Sequence, residues 1–211
     1  MRLREDILEF KNSINAKIVA ATKYVTSKEM IDLLDNGIYD FGENRVDSFL
    51  QKYEELKDRK EIKWHFIGHL QRNKCKLIIN KIDCLHSLDS LELASIIEKE
   101  RIDKLDTFIE VSINLEENKN GVNFNNIDEF VNEVLKFKKI NLVGLMMMAI
   151  KADTHDDLIK QFSKLNELRS HLVKKFNINL PYISMGMSDD YKEALECGST
   201  HVRLGRILWK N

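Results

Sequence analysis

Residues 184–205 read SMGMSDDYKEALECGSTHVRLG and decide how the rest of the chain is interpreted. The small residues Gly186 and Ser188 lie in a turn at the start of a predicted helix over 188–197. Such a turn leaves backbone N–H groups directed outward, with the positive end of the helix dipole behind them. That arrangement commonly binds a phosphate group. A helix N-cap formed by Ser188 and Asp189 explains the same residues, so both interpretations stay open on this stretch alone.

Apolar segments alternate with amphipathic ones on both sides of this stretch. Eight segments are predicted as strands: 17–23, 39–41, 63–67, 82–86, 106–113, 142–150, 182–184 and 200–204. A helix or helical turn follows each strand, and one more helix is predicted ahead of the first, over 3–15. Besides 188–197, the helices are predicted from a cap at Ser27 to a stop at Gly37, and over 43–56, 71–80, 89–101, 126–138 and 155–176.

This alternation predicts βαβ units and a parallel sheet. Eight such units in 211 residues fit a closed (β/α)8 barrel. A Gly-x-Gly-x-x-Gly turn, which is typical of an open dinucleotide-binding sheet, does not follow the first strand. We therefore predict an α/β fold with one domain over residues 1–211, a single (β/α)8 TIM-type barrel with an extra N-terminal helix.

The overall composition excludes several classes of protein. Charged residues make up 32% of the chain and the formal net charge is −1, so no basic excess indicates nucleic-acid binding. No apolar run approaches the roughly 18 residues of a membrane span, and the charged N-terminus lacks the apolar core of a secretory signal. Cys75, Cys84 and Cys197 are too far apart for a disulfide framework or a metal motif. A cytoplasmic protein is expected.

Polar residues follow several of the predicted strands at the point where each strand ends. Active sites of (β/α)8 barrels lie at these C-terminal strand ends, and a phosphate often binds in the loops after strands seven and eight. Those two loops contain 186–188 and 203–205, both within the opening stretch. Lys23 ends the first predicted strand, and Asn44 follows the second. The sequence therefore predicts a ligand site at this mouth of the barrel.

Lys23 is expected to emerge from the barrel wall partly removed from water. Such a lysine loses part of its preference for the charged form, and its neutral amine is a nucleophile toward aldehydes. A strand-end lysine beside a phosphate site indicates a Schiff base with a phosphorylated aldehyde. Pyridoxal 5′-phosphate (PLP) and the sugar phosphate of an aldolase both fit this description. A lysine that only extends its charge into solvent is the structural alternative.

The remaining polar candidates have simpler structural explanations. His65 lies within a predicted strand and is expected to be a hydrogen-bonded core histidine, and the other histidines show no metal-ligand spacing. The methionines at 146–148 are expected to pack in the core after strand six. Asp189 and Asp190 are expected to complement the dipole of the following helix.

Seven motifs, in order along nearly the whole chain, resemble the YggS/PROSC-type pyridoxal-phosphate homeostasis proteins. The motifs WHFIG-x-LQ-x-NK and GMSDD are quite specific to that family. The seven are AATK at 20–23, FGENRV at 41–46, WHFIGHLQRNK at 64–74, NLEENKNG at 114–121, GLMMM at 144–148, SMGMSDDYKEAL at 184–195 and GSTHVRLG at 198–205.

This resemblance implies the alanine racemase-like barrel of the PLP enzymes of fold type III. It also implies a protein that holds PLP as a Schiff base and lacks a dedicated catalytic activity. Proteins of that family are thought to take part in PLP homeostasis and to help deliver the cofactor to PLP-dependent apoenzymes.

Eight residues of this sequence match positions that the family uses to bind the cofactor. By that resemblance Lys23 forms the Schiff base, Arg203 faces the pyridine nitrogen, and Asn44 lies beside the ring. The family commonly has a small hydroxyl residue where this chain has Arg206, which either replaces that donor with a charged contact or points to solvent. Phosphate contacts are implied for Gly186, Met187, Ser188, Gly205 and Arg206.

Two enzymatic alternatives stay open on the sequence. A PLP-dependent racemase or decarboxylase shares the fold, but racemisation needs a second proton-transferring group from an additional C-terminal domain, for which this chain has no residues. A class I aldolase needs acid–base carboxylates at strand ends, where Glu43 and Glu110 are the only candidates. We expect a PLP carrier that is monomeric, because the domain that builds the racemase dimer is missing.

Overall fold

Eight parallel strands close into a barrel in the computed structural model, which describes residues 1–113, 121–150 and 154–210. The strands of this part are β1 Lys17–Ala21, β2 Asp40–Glu43, β3 Lys63–Phe66, β4 Cys84–Leu88, β5 Leu105–Ser112, β6 Val122–Asn123, β7 Ile140–Met146, β8 Tyr182–Ser184 and β9 His201–Leu204. The ring runs β1-β2-β3-β4-β5-β7-β8-β9 and returns to β1. The short strand β6 pairs with β5 beside this ring. The predicted barrel is confirmed, and β6 is an addition that the sequence pattern did not predict.

The helices alternate with the strands along the chain. They are α1 Ile7–Ser13, α2 Ser27–Asp35, α3 Val46–Glu55, α4 Arg72–Ile78, α5 Leu91–Glu100, α6 Ile127–Val134, α7 His155–Phe176 and α8 Tyr191–Glu196. Two 3₁₀ helices add Phe124–Asn126 and Arg206–Leu208. Helix α1 is the predicted extra N-terminal helix. No helix among the described residues is long and apolar enough to cross a membrane.

Several predicted ends of helices and strands are wrong by a few residues. The difference that matters most for the predicted site is the end of β1, and local hydrogen bonds explain it. Strand β1 ends at Ala21, not at Lys23. The N–H of Thr22 still donates to the carbonyl of Gly42 at 3.0 Å, but the N–H of Val25 donates back to the Thr22 carbonyl at 3.1 Å. The chain therefore turns directly after the strand, and Lys23 lies in that turn.

The first barrel helix, α2, shows which residue caps its N-terminus. Thr26, not Ser27, is the N-cap, and it forms a capping box with Glu29. In this motif the two residues satisfy each other's free backbone N–H groups. The predicted stop at Gly37 is correct, because Gly37 adopts a φ of 73°, which favours glycine.

The hydrophobic core lies between the barrel and the apolar faces of the helices. Met30 and Leu33 of α2 and Phe49 of α3 are completely buried. Every residue of β4, Cys84–Leu88, is buried, as expected for a parallel strand covered on both faces. The predicted motif at 114–121 lies outside the described residues except for Gly121.

Gly144 on β7 is a position where the barrel leaves no space for a side chain. A Cβ atom there would lie 2.0 Å from the carbonyl oxygen of Tyr182 on the neighbouring strand. A Cβ at Gly42 on β2 would also be crowded, but by the Cδ1 atom of Ile67 at 2.9 Å, and a side-chain end can rotate away. An added side chain would therefore clash with the backbone at Gly144 but with a side chain at Gly42.

We predict that Gly144→Ala lowers the free energy of unfolding by about 3 kcal/mol, because β7 and β8 must separate. The matched change Gly42→Ala should cost only about 1 kcal/mol. Urea unfolding followed by circular dichroism measures both values. Equal losses would contradict the tight β7–β8 contact.

Glu110 on β5 is a carboxyl group inside the barrel. Only 4% of the residue is exposed. Burial raises its pKa to about 7, the charge of Asp89 adds to this effect, and the charge of Arg203 opposes it. The folded state therefore binds a proton that the unfolded chain releases near pH 4.5. The stability contributed by this group is present at low pH and is lost as the pH rises toward 7.

We expect Glu110→Gln to be more stable than the parent at pH 8, by roughly 3 kcal/mol at 1.4 kcal/mol for each pKa unit. The difference should shrink as the pH falls toward 4.5, where the folded carboxyl is neutral and about half of the unfolded chains are still ionised. Thermal unfolding from pH 4.5 to 8 tests this. Glu92→Gln, which changes an exposed carboxylate, is the control and should show no comparable trend. A parent that gains stability over this range relative to Glu110→Gln would contradict the raised pKa.

Candidate functional site

The loop after β8 is shaped by Gly186. Its φ is 90°, and a Cβ atom there would lie 2.6 Å from the Cβ of Ala194 and 3.0 Å from the Cα of Tyr191. Only glycine allows α8 to pack this closely against the loop. The carbonyl of Gly186 accepts the N–H of Arg203 at 2.9 Å, which ties the loop after β8 to strand β9.

Ser188 is not the helix cap that one interpretation of the sequence predicted. Helix α8 begins at Tyr191, and Asp190 occupies the N-cap position. The Asp190 carboxylate accepts the N–H of Met187 at 2.5 Å, which forms a turn ahead of the helix. The Ser188 Oγ atom instead accepts the N–H of Gly205 at 3.2 Å and, more weakly, that of Ile207 at 3.5 Å. Ser188 therefore joins the two loops in which the sequence predicts a phosphate.

A pocket of about 230 Å³ opens at the C-terminal ends of β1, β8 and β9. Six of the eight predicted site residues line it: Lys23, Met187, Ser188, Arg203, Gly205 and Arg206. The other lining residues are Met1, Ala21, Tyr24, Val25, Asp189 and Trp209. Asn44 and Gly186 are not among the lining residues.

Lys23 is more exposed than the sequence suggested. The residue is exposed to solvent, so the expected partial removal from water is wrong. The ammonium group lies 4.8 Å from the ring centre of Tyr24. The preceding residue is anchored in the barrel, because the Thr22 hydroxyl donates to Glu43 Oε1 at 2.6 Å. A rigid base thus carries a lysine side chain that reaches the pocket from the solvent side.

Arg203 is the buried cation of the pocket, with only 5% of the residue exposed. Its Nη1 donates to Ser184 Oγ at 2.7 Å and its Nη2 to the Met147 carbonyl at 2.9 Å. Burial lowers the pKa of Arg203 to about 10, against the opposing charges of Glu110 and Asp190. The guanidinium therefore remains charged at neutral pH and is fixed in orientation.

Arg206, the departure from the family pattern, points toward solvent. Its Nη2 pairs with the Asp189 carboxylate at 2.5 Å, and 72% of its side chain is exposed. Both partners line the rim of the pocket. The loop after β9 therefore offers the backbone N–H of Gly205 to the pocket, and Arg206 is held at its edge.

Asn44 follows β2 as predicted, and close packing fixes its backbone. A Cβ at Gly68 would lie 2.3 Å from the Asn44 carbonyl oxygen, so this contact requires glycine. The Oδ1 atom of Asn44 is buried and has no hydrogen-bond partner among the described residues. Asn44 therefore carries a free acceptor near the mouth, although it lies off the pocket wall.

The two carboxylates that an aldolase would need do not line the pocket. Glu43 is completely buried and forms an ion pair with Lys52 at 2.6 Å. The Lys52 ammonium also donates to the Thr22 carbonyl at 2.5 Å. Glu43 thus supports the turn that carries Lys23, and Glu110 lies inside the barrel.

Sequence reasoning missed the contribution of the chain ends to the pocket. Trp209 lines it and is held by an antiparallel bridge to Leu3. The N–H of Arg4 donates to the Leu208 carbonyl, and that of Lys210 donates to the Arg2 carbonyl. Residues this far apart in sequence carry no local pattern that would have predicted their pairing.

Three potential metal ligands also meet inside the barrel, although their sequence spacing predicts no metal site. The ligand atoms of His65, Cys84 and His86 all lie within 4.8 Å of one another. The two histidines are already hydrogen bonded, with His65 Nδ1 and His86 Nε2 2.9 Å apart. The prediction that His65 is a hydrogen-bonded core histidine is confirmed.

Comparison with known proteins agrees with this geometry. The family model described as "Alanine racemase, N-terminal domain" matches residues 2–211. The pyridoxal phosphate homeostasis protein of Aquifex aeolicus is 40% identical over 197 residues, which cover 92% of this chain and 86% of that protein. The protein of the same name from Schizosaccharomyces pombe is 33% identical over 98% of this chain and 89% of its own length.

Solved structures show the same fold. PipY of Synechococcus elongatus, determined with PLP bound, superposes with a TM-score of 0.89 at 24% identity and covers 97% of this chain and 100% of PipY. Alanine racemase from Corynebacterium glutamicum superposes with a TM-score of 0.76 at 14% identity, and the match covers 97% of this chain and 60% of the racemase. The expected alanine racemase-like fold and the family resemblance are confirmed. The chain belongs to the alanine racemase N-terminal domain family and, within it, to the pyridoxal phosphate homeostasis proteins.

Proposed function

We propose that this chain binds PLP in the Lys23 pocket and serves as a carrier in PLP homeostasis that passes the cofactor to apoenzymes. One observation carries the proposal: an amine, a buried guanidinium, a serine hydroxyl and a backbone N–H line a single pocket. These groups belong to Lys23, Arg203, Ser188 and Gly205. They match the aldehyde, the ring nitrogen and the phosphate of one small molecule.

The phosphate end would be held by the loops after β8 and β9. The N–H of Gly205 already donates to the Ser188 Oγ atom at 3.2 Å, so the two groups lie side by side in the wall of the pocket. A phosphate oxygen is a stronger acceptor than a serine hydroxyl, so the Gly205 N–H and the Ser188 O–H can both donate to a bound phosphate. The backbone of Gly186, Met187 and Arg206 is assigned to the same end, and the Arg206 side chain stays with Asp189.

The ring end would lie against Arg203. A guanidinium cannot accept a proton and disfavours a second positive charge beside it, so a ring nitrogen facing Arg203 stays unprotonated. An unprotonated ring withdraws electrons weakly, and this suits storage of a cofactor better than catalysis on it. We assign the buried, unpartnered Oδ1 atom of Asn44 to the same side of the site.

Lys23 would provide the covalent link. PLP supplies an aldehyde, which condenses with a primary amine and releases one water. Lys23 approaches from the exposed side of the pocket, so water or the amine of another protein can reach the same carbon. The Lys52–Glu43 ion pair holds the Lys23 turn from below.

We propose that the protein is a carrier and not an enzyme. Its relatives are named for homeostasis, and the carboxylates of Glu43 and Glu110 lie off the pocket. We propose further that residues 1–211 act as one domain, as a monomer, in the cytoplasm. The racemase and decarboxylase alternatives share only the fold with this chain.

We predict that borohydride treatment of the protein with one equivalent of PLP fixes the cofactor on Lys23. Peptide mass mapping should find the added pyridoxyl mass there. Lys23→Ala should weaken PLP binding about tenfold or more, because the covalent link is lost, whereas the nearby change Lys28→Ala should not. A label that lies mainly on another lysine of the parent would contradict the assignment.

The carrier proposal also excludes sustained chemistry on amino acids. With the protein loaded, chiral chromatography and carbon dioxide detection should show no multiple turnovers for any of the common amino acids. Steady turnover of even one amino acid would replace the carrier proposal with a racemase or decarboxylase.

Ser188→Ala should raise the Kd for PLP about tenfold, because one phosphate hydrogen bond is worth roughly 1.4 kcal/mol in this setting. Pyridoxal, which has no phosphate, should bind the parent and Ser188→Ala equally. Absorption or fluorescence titration measures all four values. Ser170→Ala, which changes an exposed serine on α7, is the control. An equal loss for pyridoxal would show that Ser188 acts elsewhere than on the phosphate.

A further inference from the structure

A continuous chain of polar side chains crosses the interior of the barrel and ends on Arg203. Its members come from five strands and are all buried or nearly so. They are Asp40 on β2, His65 on β3, His86 on β4, Ser184 on β8 and Arg203 on β9. None of the first four lines the Lys23 pocket. Asp40 and His65 instead line a second cavity, of about 380 Å³, at the opposite end of the barrel.

Each link between these side chains is a hydrogen bond of ordinary length. Asp40 Oδ1 lies 2.9 Å from His65 Nε2, and His65 Nδ1 lies 2.9 Å from His86 Nε2. His86 Nδ1 lies 2.9 Å from Ser184 Oγ, which accepts from Arg203 Nη1 at 2.7 Å. The link between His86 and Ser184 joins residues 98 positions apart, on strands that are not neighbours in the ring.

The two ends of the chain determine where every proton lies. Arg203 has only donors, and an ionised Asp40 has only acceptors. Burial alone would raise the pKa of Asp40, but the hydrogen bond from His65 and the charge of Lys17 outweigh it and lower the pKa. The carboxylate is therefore ionised at neutral pH.

With the ends fixed, one arrangement satisfies every member. Arg203 donates to Ser184, whose own O–H then donates to His86 Nδ1. His86 donates from Nε2 to His65 Nδ1, and His65 donates from Nε2 to Asp40. In the reverse arrangement Ser184 Oγ would accept from both sides and its O–H would lose this partner, which is costly at a fully buried site.

The surroundings of His86 keep it neutral, as this arrangement requires. Full burial lowers the pKa of His86 well below its usual value, and the charge of Arg203 acts in the same direction. Its ring stacks on Phe108, with 4.4 Å between the ring centres. A neutral, stacked imidazole has one donor and one acceptor in a fixed plane, so it transmits orientation along the chain.

We propose that His65, His86 and Ser184 are positioning residues that hold the Arg203 guanidinium toward the pocket and so determine how it meets the ring nitrogen of PLP. The cofactor part of this inference rests on the proposed function. Ser184 occupies Arg203 Nη1 and the Met147 carbonyl occupies Nη2. Ser184 has a single orientation only if the hydrogen bonds that lead to it are fixed at their other end. That end is Asp40, whose carboxylate lies 3.2 Å from the Lys17 ammonium.

The first test uses the protein without cofactor. Nitrogen NMR of protein labelled at histidine should show His65 and His86 neutral at pH 7.5, each with its proton on Nε2. Ser184→Ala should shift the Nδ1 signal of His86 to that of an acceptor without a hydrogen bond. Thr107→Val removes another fully buried hydroxyl, one that donates to the Leu105 carbonyl, and should leave that signal unchanged.

The second test compares PLP with its 1-deaza analogue, in which carbon replaces the ring nitrogen. Ser184→Ala should raise the Kd for PLP about tenfold and leave the Kd for the analogue within about twofold. Thr107→Val should change neither. Ser184→Thr, which keeps a hydroxyl, should restore PLP binding to near the parent value.

The outcomes separate this inference from the proposed function. A His86 proton on Nδ1, or a doubly protonated His86 at pH 7.5, would contradict the proposed direction of the hydrogen bonds between Arg203 and Asp40, whatever the protein binds. An equal loss of both ligands in Ser184→Ala would reduce Ser184 to a structural role. If the parent protein bound neither ligand while the tautomers were as expected, the PLP assignment would fail and the chain would stand as a support for Arg203 alone.

Discussion

The burial of one positive charge, on Arg203, constrains much of the surrounding structure. A buried guanidinium is stable only if its donors are satisfied and opposite charges lie nearby. The barrel meets the first condition with Ser184 and the Met147 carbonyl. Glu110 and Asp190 partly meet the second, since their charges oppose the lowering of the Arg203 pKa by burial. These four partners come from three parts of the chain, at β5, after β7 and from β8 to α8, so Arg203 can be held only once the barrel has closed.

The C-terminal ends of the strands bring the buried Arg203 together with the other residues of the pocket. Parallel strands direct all their C-terminal ends to one mouth, so the loops after β1, β8 and β9 meet there regardless of sequence separation. Gly186 allows α8 to approach its own loop, and Ser188 bridges to Gly205. The Lys23 turn is held independently, through Thr22, by the buried Glu43. The Lys23 turn thus has a support that is separate from the contacts that hold Arg203 and the loops after β8 and β9.

The sequence predicted the barrel because its evidence is local and repeated. Eight alternations of strand and helix determine the topology even when individual ends are off by several residues. The position of Lys23, Ser188 and Arg203 at one mouth of the barrel was predictable for the same reason, since each lies near the C-terminal end of a strand. The exposure of Lys23 was not, because it depends on a turn two residues beyond the strand. The Trp209–Leu3 bridge and the His86–Ser184 contact were beyond reach as well, since both exist only after distant strands have met.

On the proposed assignment, the interior of the barrel controls the electronic character of the bound cofactor. Catalysis on PLP profits from a protonated ring that draws electrons away from the substrate. An arginine opposes that proton, and the opposition is strongest when the guanidinium cannot turn away. The hydrogen-bonded histidines anchored on Asp40 supply this rigidity without adding a charge next to Arg203, because His86 stays neutral and the carboxylate lies at the far end of the barrel. With PLP placed as proposed, rigid support on the ring side and an exposed lysine on the other side would together favour holding the cofactor and releasing it unchanged.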